Sequence, residues 1–442
     1  MNGRNHAAIA GAIFAVMLPA LGAGEARAAP PPSAAPSWEG FYVGGDVGYG
    51  FGVDGLDVNT FNFTGSATTI NTDFLGGQGF IGGVLGGYNH MLTPRWLVGI
   101  EGDASWSNIS HTDTLNDGVG DVISQQIAQQ QVYSLRARVG YLLAPETLLY
   151  GTAGGAWSHF TYSLNYPTGG YSESDTQWLG GVQVGAGVET IFARGWSARL
   201  EYLQTFYNAG TFNPALLAAL VGPIEVRPTT GVGRVAVIYR FGPDKAAPWT
   251  SPPARPSWNG PYVGGALGAG VADAKVDFPQ LPGTSIGGVG IAGAFPTLMV
   301  GYNWRAAARW VVGAEGEAAP GISTADFQVD WTEAVRGRVG YLLTPATLLY
   351  GSVGWLTTGI STSSLVGNAV TVPSQRVDAL EVGGGVETAF TEHWAARFDY
   401  QYAVPGALDA VAVNINTFSG PVVVHAQMHY ARLGVVYMFD GR

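Results

Sequence analysis

From Trp196 to Tyr202 the chain alternates between two kinds of side chain. Trp196, Ala198, Leu200 and Tyr202 fall on one face, and Ser197, Arg199 and Glu201 on the other. Period two is the mark of a β-strand with two unlike faces. The same rhythm sets Leu135, Ala137, Val139 and Tyr141 against Arg136, Arg138 and Gly140, and Val235, Val237, Tyr239 and Phe241 against Arg234, Ala236 and Ile238. Eight such stretches are predicted, near 41–52, 78–91, 95–107, 131–143, 147–160, 179–192, 196–207 and 232–241. A tilted strand needs about 9–11 residues to cross a bilayer, and these are long enough. The connections alternate as well. Those at 53–77, 108–130, 161–178 and 208–231 are long and polar, whereas those at 92–94, 144–146 and 193–195 are short. Outer-membrane barrels have short periplasmic turns and longer outer loops in that order. The pattern therefore predicts an all-β chain folded as a transmembrane antiparallel β-barrel.

The pattern is written twice. "RVGYLLAPETLLYG" (Arg138 to Gly151) returns as "RVGYLLTPATLLYG" (Arg338 to Gly351), with twelve of fourteen letters the same. Trp38 and Trp258 each open a W-x-G-x-Y-V-G-G start after a Pro-rich lead-in, and "VGAGVETIFARGWSARLEY" returns as "VGGGVETAFTEHWAARFDY". A period of about 200 residues is a duplicated domain, since solenoid repeats run about 20–50. The division expected is a signal peptide at 1–28, a Pro-rich segment at 29–37, a first barrel at 38–241, a Pro-rich periplasmic linker at 242–257 and a second barrel at 258–439. Short turns recur near 305–308, 344–346 and 391–392. Two eight-stranded barrels in tandem are favoured, because Pro-rich segments act as semi-rigid spacers. One sixteen-stranded barrel with a wide aqueous channel is the alternative.

Charge decides which face is which. A lipid-facing Arg near the midplane costs about 2–4 kcal/mol, so Arg136 and Arg138 are expected to point inward. The same alternation places Glu101, Asp103, Glu189, Arg199, Glu201 and Arg234 inside the first unit. It places Glu315, Glu317, Arg336, Arg338, Glu387, Arg397, Asp399 and Arg432 inside the second. Each set holds four positive and four negative charges. Buried charges must be paired, and an eight-stranded barrel is just wide enough for its side chains to fill it. A charge network filling each lumen follows. The structural alternative is that several of these charges sit at strand ends in headgroup water. Pro145 and Pro345 suit tight turns. Trp96, Tyr141, Tyr150 and Trp196, with Trp310, Tyr341, Tyr350 and Trp394 in the second unit, are expected to form the interfacial aromatic girdle.

Composition narrows the classes. Apolar residues make up 47% of the 442-residue chain and charged residues 12%, about half the usual share. There are 66 glycines without a collagen period, and beyond the N-terminus no apolar run reaches the roughly 20 residues of a membrane helix. The absence of cysteine excludes disulfides, thiol catalysis and Cys-based metal sites. A net charge of −11 with no basic run argues against nucleic acid as a partner. Arg4, the apolar stretch from Ala7 to Gly24 and Ala26-Arg27-Ala28 read as a cleaved export signal, with an N-terminal membrane anchor as the alternative. Without a lipobox cysteine a lipoprotein is not expected.

The motifs "SWEGFYVGGDVGYGFG", "GGYN", "RVGY", "GVE" and the closing "YRF" resemble the small alphaproteobacterial outer-membrane β-barrel proteins. These are also called porin-family or outer-membrane immunogenic proteins, and they share the architecture of the OmpA transmembrane domain. The resemblance covers about 37–241 and 257–439. It implies eight-stranded barrels in the outer membrane of a Gram-negative bacterium, inserted by the assembly machinery and in contact with lipid and lipopolysaccharide. Their roles would be structural, antigenic or weakly pore-forming. It implies no cofactor and no catalytic residue. The family's terminal aromatic insertion signal corresponds to Tyr437 and Phe439, here followed by Asp440-Gly441-Arg442.

Three function classes compete: a structural or surface-display protein with plugged lumens, a diffusion porin for small solutes, and a barrel enzyme. An enzyme would need a polar catalytic set. The candidate histidines are His111 beside Asp113, His159, and His425 with His429, none in a recognisable nucleophile–base spacing; loop histidines in water are the simpler expectation. Gly288-Val-Gly290-Ile-Ala-Gly293 matches a dinucleotide fingerprint, but no helix is predicted after it. Asp113, Asp117 and Asp121 could hold a divalent cation, although a solvated acidic loop is the simpler reading.

Overall fold

The computed structural model describes residues 37–61, 68–116, 122–167, 169–213, 224–241, 256–277, 285–323, 328–365, 370–405, 408–415 and 418–439. Every regular element among them is a β-strand. The first unit contains β1 (Gly40–Phe61), β2 (Thr68–Met91), β3 (Trp96–Ser107), β4 (Ser110–Asn116), β5 (Val122–Ala144), β6 (Thr147–Tyr166), β7 (Tyr171–Ala193), β8 (Trp196–Tyr207), β9 (Gly210–Phe212) and β10 (Ile224–Phe241). Neighbours pair antiparallel, with β4 prolonging β3 and β9 prolonging β8. The sheet closes where β1 meets β10, from Phe41 opposite Phe241 through Gly48 opposite Arg234 and beyond. This makes eight walls.

The second unit repeats the plan with β11 (Gly260–Asp277), β12 (Ser285–Arg305), β13 (Trp310–Ser323), β14 (Gln328–Thr344), β15 (Thr347–Leu365), β16 (Val370–Ala389), β17 (Trp394–Pro405), β18 (Leu408–Ile415) and β19 (Phe418–Met438). It closes between β11 and β19, with Tyr262 opposite Met438 and Gly268 opposite Arg432. Each unit thus closes on itself, and a sixteen-stranded ring is ruled out. One backbone pairing, Leu75 of β2 with Val289 of β12, joins the two walls. The signal segment and residues 242–255 of the linker lie outside the described residues, as do Asp117, Asp121 and residues 440–442.

The short turns follow from their residues. Pro145-Glu146 joins β5 to β6 in two residues, and a fixed proline φ suits the first of them. Arg194-Gly195 joins β7 to β8, with Gly195 at φ +74°, a left-handed conformation that glycine adopts without steric cost. The long connections differ from expectation. Much of 53–77, 108–130, 161–178 and 208–231 is strand: β5 starts at Val122 and β7 at Tyr171. Runs such as Gln125-Gln126-Ile127-Ala128-Gln129 are largely polar on both faces. Outside the hydrocarbon no lipid demands alternation, so a hairpin rising into water reads as a loop.

Candidate functional site

Each barrel carries a layer of ion pairs across its lumen. The register sets it up, because opposite charges stand directly across the ladder. In the first barrel Glu101 faces Arg136, Glu189 faces Arg199, and Glu201 faces Arg234. In the second, Glu315 faces Arg336, Glu387 faces Arg397, and Asp399 faces Arg432. All of these side chains are buried.

The links run right round the first lumen. Arg136 bonds Glu101 at 2.8 Å and Asp103 at 2.6 Å. Arg199 spans from Glu101 at 2.7 Å to Glu189 at 3.0 Å. Arg138 reaches Glu189 at 3.1 Å and lies 4.1 Å from the centre of the Tyr150 ring. Arg234 closes the circuit on Glu201 at 2.7 Å and Asp46 at 3.5 Å. In the second lumen Arg338 meets Glu387 at 2.5 Å and the amide oxygen of Asn303 at 3.0 Å. Arg397 bonds Asp399 at 2.7 Å and Glu315 at 2.9 Å, while Arg432 bonds Asp399 at 2.8 Å. Glu317 is shared by Arg336 and Arg432.

The inventory exceeds the expected four and four. Asp46 and Arg240 also point inward, giving five of each sign among the described residues of the first barrel, and Arg240 pairs with Glu189. Glu381 joins the second, giving five carboxylates against four arginines among the described residues; it accepts a hydrogen bond from Tyr430 and lies 3.7 Å from Arg336. All three positions continue the same period-two rows (44-46-48, 234-236-238-240, 381-383-385-387) and were readable by extending them.

Tyr150 and Tyr350 are corrections to the expected girdle. Both point inward: Tyr150 donates to Glu201 at 2.7 Å and Tyr350 to Asp399 at 3.3 Å. They fit because glycine faces each of them. A Cβ at Gly187 would sit 2.6 Å from the Tyr150 hydroxyl, and one at Gly385 would sit 2.7 Å from that of Tyr350. The other six aromatics face outward, where Trp96 is 47% exposed. Trp96 meets Tyr141 edge-on with ring centres 5.0 Å apart, and Trp310 meets Tyr341 at 5.2 Å. Trp196 pairs with Tyr239, and Trp394 with Tyr437, which also packs on Phe439. A second outward set, Trp106, Tyr133, Trp157 and Trp178, was not foreseen.

At the end carrying the short turns each lumen holds a buried tryptophan. Trp38 is buried there among Leu97, Leu142, Leu148 and Tyr150, and its indole N–H donates to the Pro145 carbonyl at 2.9 Å. Trp258 donates to Pro345 at 3.0 Å in the same way. The two most recognisable repeated motifs, W-x-G and the Pro turn, are therefore bonded partners.

The four candidate histidines lie in strands and not in loops. His111 is buried in β4. His159 stacks on Trp178 with ring centres 4.8 Å apart. His429 is buried on the outward face of β19, while its neighbour His425 is exposed. No group of three or more metal-ligating side chains occurs among the described residues. The residues 288–293 fall in β12, in a strand and not before a helix.

Closed antiparallel barrels with an apolar outer wall and an ionic interior define an integral β-barrel protein of the Gram-negative outer membrane. The chain belongs to the outer membrane protein beta-barrel domain family, whose model matches residues 15–222 and again 247–439. It is 28% identical over 183 residues to the 31 kDa outer-membrane immunogenic protein of Brucella melitensis, covering 39% of this chain and 75% of that one. It is 34% identical over 185 residues to the 22 kDa outer membrane protein of Rhizobium leguminosarum, covering 41% and 71%. Among solved structures, Ail, the attachment invasion locus protein of Yersinia pestis, matches 46% of this chain and 99% of its own length at 14% identity and a TM-score of 0.25.

Proposed function

We propose that the protein is a non-enzymatic structural and surface-display component of the outer membrane, with both lumens plugged by charge. The observation carrying this reading is the continuous circuit of buried Arg–carboxylate contacts in each barrel. Opening a path would mean separating paired charges, which costs about 3–5 kcal/mol for each pair broken on one side. Trp38 and Trp258 add an apolar floor below.

The outer wall supports the placement in lipid. Trp96 and Trp106 lie ten residues apart on β3, about 33 Å along the strand at 3.3 Å per residue and about 25 Å along the axis at a tilt of roughly 40°. An apolar band about 25 Å tall between two aromatic rings is what outer-membrane barrels show. Strands such as β5 and β6 continue past the outer ring into water, where they would meet lipopolysaccharide and display their tips. Tyr437 and Phe439 are the aromatic signal on which the assembly machinery would act.

The test is electrical. Purified full-length protein in planar bilayers is expected to give no stable channels. Steady conductance in the nanosiemens range would overturn the plugged reading in favour of a diffusion porin.

A further inference from the structure

We propose that the two barrels stand side by side in the membrane as a fixed pair, held through one self-complementary seam from which lipid is excluded. The occupant of the first barrel's outer face is the second barrel of the same chain, and polar side chains are what hold it there.

The seam is built from equivalent positions. Leu149 and Leu349, Val188 and Val386, and Tyr202 and Tyr400 meet in one apolar cluster, and each pair is one place in the duplicated sequence. Such matching is the mark of an isologous, two-fold contact. At the end carrying the short turns the Thr147 and Thr347 hydroxyls lie 3.2 Å apart. Thr147 also reaches Thr190 at 3.1 Å, and Thr347 reaches Thr388 at 3.2 Å. Four outward threonines thus form a row of hydroxyls across the boundary. Thr147 and Thr347 are each 0% exposed although they alternate with the inward Leu148 and Leu348.

Physical chemistry says why polarity matters here. Between two membrane proteins the hydrophobic effect gives no preference, because lipid tails are as apolar as leucine. Polar groups facing lipid do give one, since hydrocarbon cannot satisfy them. Away from the turns the seam uses a second polar set. His429 Nδ1 lies 2.8 Å from the Tyr400 hydroxyl, and its Nε2 lies 3.4 Å from Gln78 Oε1 of the first barrel. Gln78 Oε1 also accepts from Tyr49 at 3.0 Å. The imidazole stacks on Phe51 and Tyr49 of the first barrel and on Tyr402 of its own, with ring centres 5.5, 5.4 and 4.5 Å away. In the first barrel Gly231 holds the place of His429. The two-fold likeness is broken there, and the break makes each face fit the other better than itself. Pairing within one chain is favoured over pairing between chains.

The natural absence of cysteine makes the test direct. Thr147→Cys with Thr347→Cys places two thiols where the hydroxyls now lie 3.2 Å apart. Full-length protein in outer-membrane vesicles, treated with a mild oxidant, is expected to convert mostly to an internally crosslinked monomer with altered, reductant-reversible gel mobility. Val139→Cys with Val339→Cys, equivalent outward positions each 51% exposed, is the control and is expected to remain uncrosslinked. Heat-dependent mobility verifies that both barrels are folded in each variant. Adding His429→Leu to the threonine pair is expected to slow crosslinking, because lipid then competes on equal terms. Crosslinking no greater than in the valine control, or crosslinks only between chains, would overturn the fixed pair. An unchanged rate with His429→Leu would overturn the assignment of its cause.

Discussion

Glu189 concentrates the energetics of the first lumen. It accepts hydrogen bonds from Ser197 at 2.8 Å, Arg138 at 3.1 Å and Arg199 at 3.0 Å, and it pairs with Arg240. Glu189→Ala leaves three buried guanidinium groups without their shared partner. Urea unfolding in lipid vesicles is expected to show a loss of about 3–5 kcal/mol. The Glu225–Arg227 pair provides contrast: at 2.7 Å it is as close, yet both side chains are partly in water, so Glu225→Ala should cost no more than about 1 kcal/mol. Inward charges such as Arg136 and Glu201 were legible because a charge beside lipid is too costly for either face to be in doubt. Tyr150 was not. It follows Leu148 and Leu149, so three consecutive apolar residues carry no alternation. The ambiguity has a cause: beside the Trp38 floor the lumen is itself apolar, and the inner and outer faces want the same side chains.

At the level of elements, the indole of Trp38 fastens the start of β1 to the turn between β5 and β6, 107 residues away. Trp38→Phe keeps the ring but leaves the Pro145 carbonyl without its donor. The expected cost is about 1–3 kcal/mol, read from the same urea curves. Trp258→Phe should cost as much in the second barrel, through Pro345. The motif was plain in the sequence, but its purpose was not, since no local pattern links an N-terminal Trp to a distant carbonyl. Strand cores and turns were legible from alternation and from Pro145 and Gly195. The upper parts of β5 and β7 were hidden because polar residues line both of their faces. The lesson is physical: alternation reports the contrast between two environments, and it vanishes where both sides are wet or both are oily.

For the whole molecule, duplication predicted two units, and closure of β1 on β10 and of β11 on β19 shows two rings. The seam between them was not legible. Thr147 and Thr190 pass for ordinary strand residues until the second barrel covers them. Glu146, in the turn of the first barrel, adds a pH dependence to that contact. Its carboxyl lies beside Thr344 of the second barrel, and burial pushes it above the ordinary glutamate value of 4.5. A raised carboxyl favours the protonated form in the assembled state. Its contribution is therefore present below pH 4.5 and is lost as pH rises from there through the raised value. Glu146→Gln should stabilise the protein at neutral pH. The difference from wild type in thermal midpoint should shrink as pH falls and vanish well below that value.

The tie between Trp38 and Pro145 has a cost that its twin reveals. Trp258 and Pro345 offer the same donor and acceptor in nearly the same words, so every correct fastening has a counterfeit 200 residues along the chain. Affinity scarcely tells the two apart. Connectivity does: Pro145 lies 107 residues from Trp38 and Pro345 lies 307, so the native loop closes at an entropic cost lower by about 1 kcal/mol. Nearness along the chain is what favours each tryptophan's own partner.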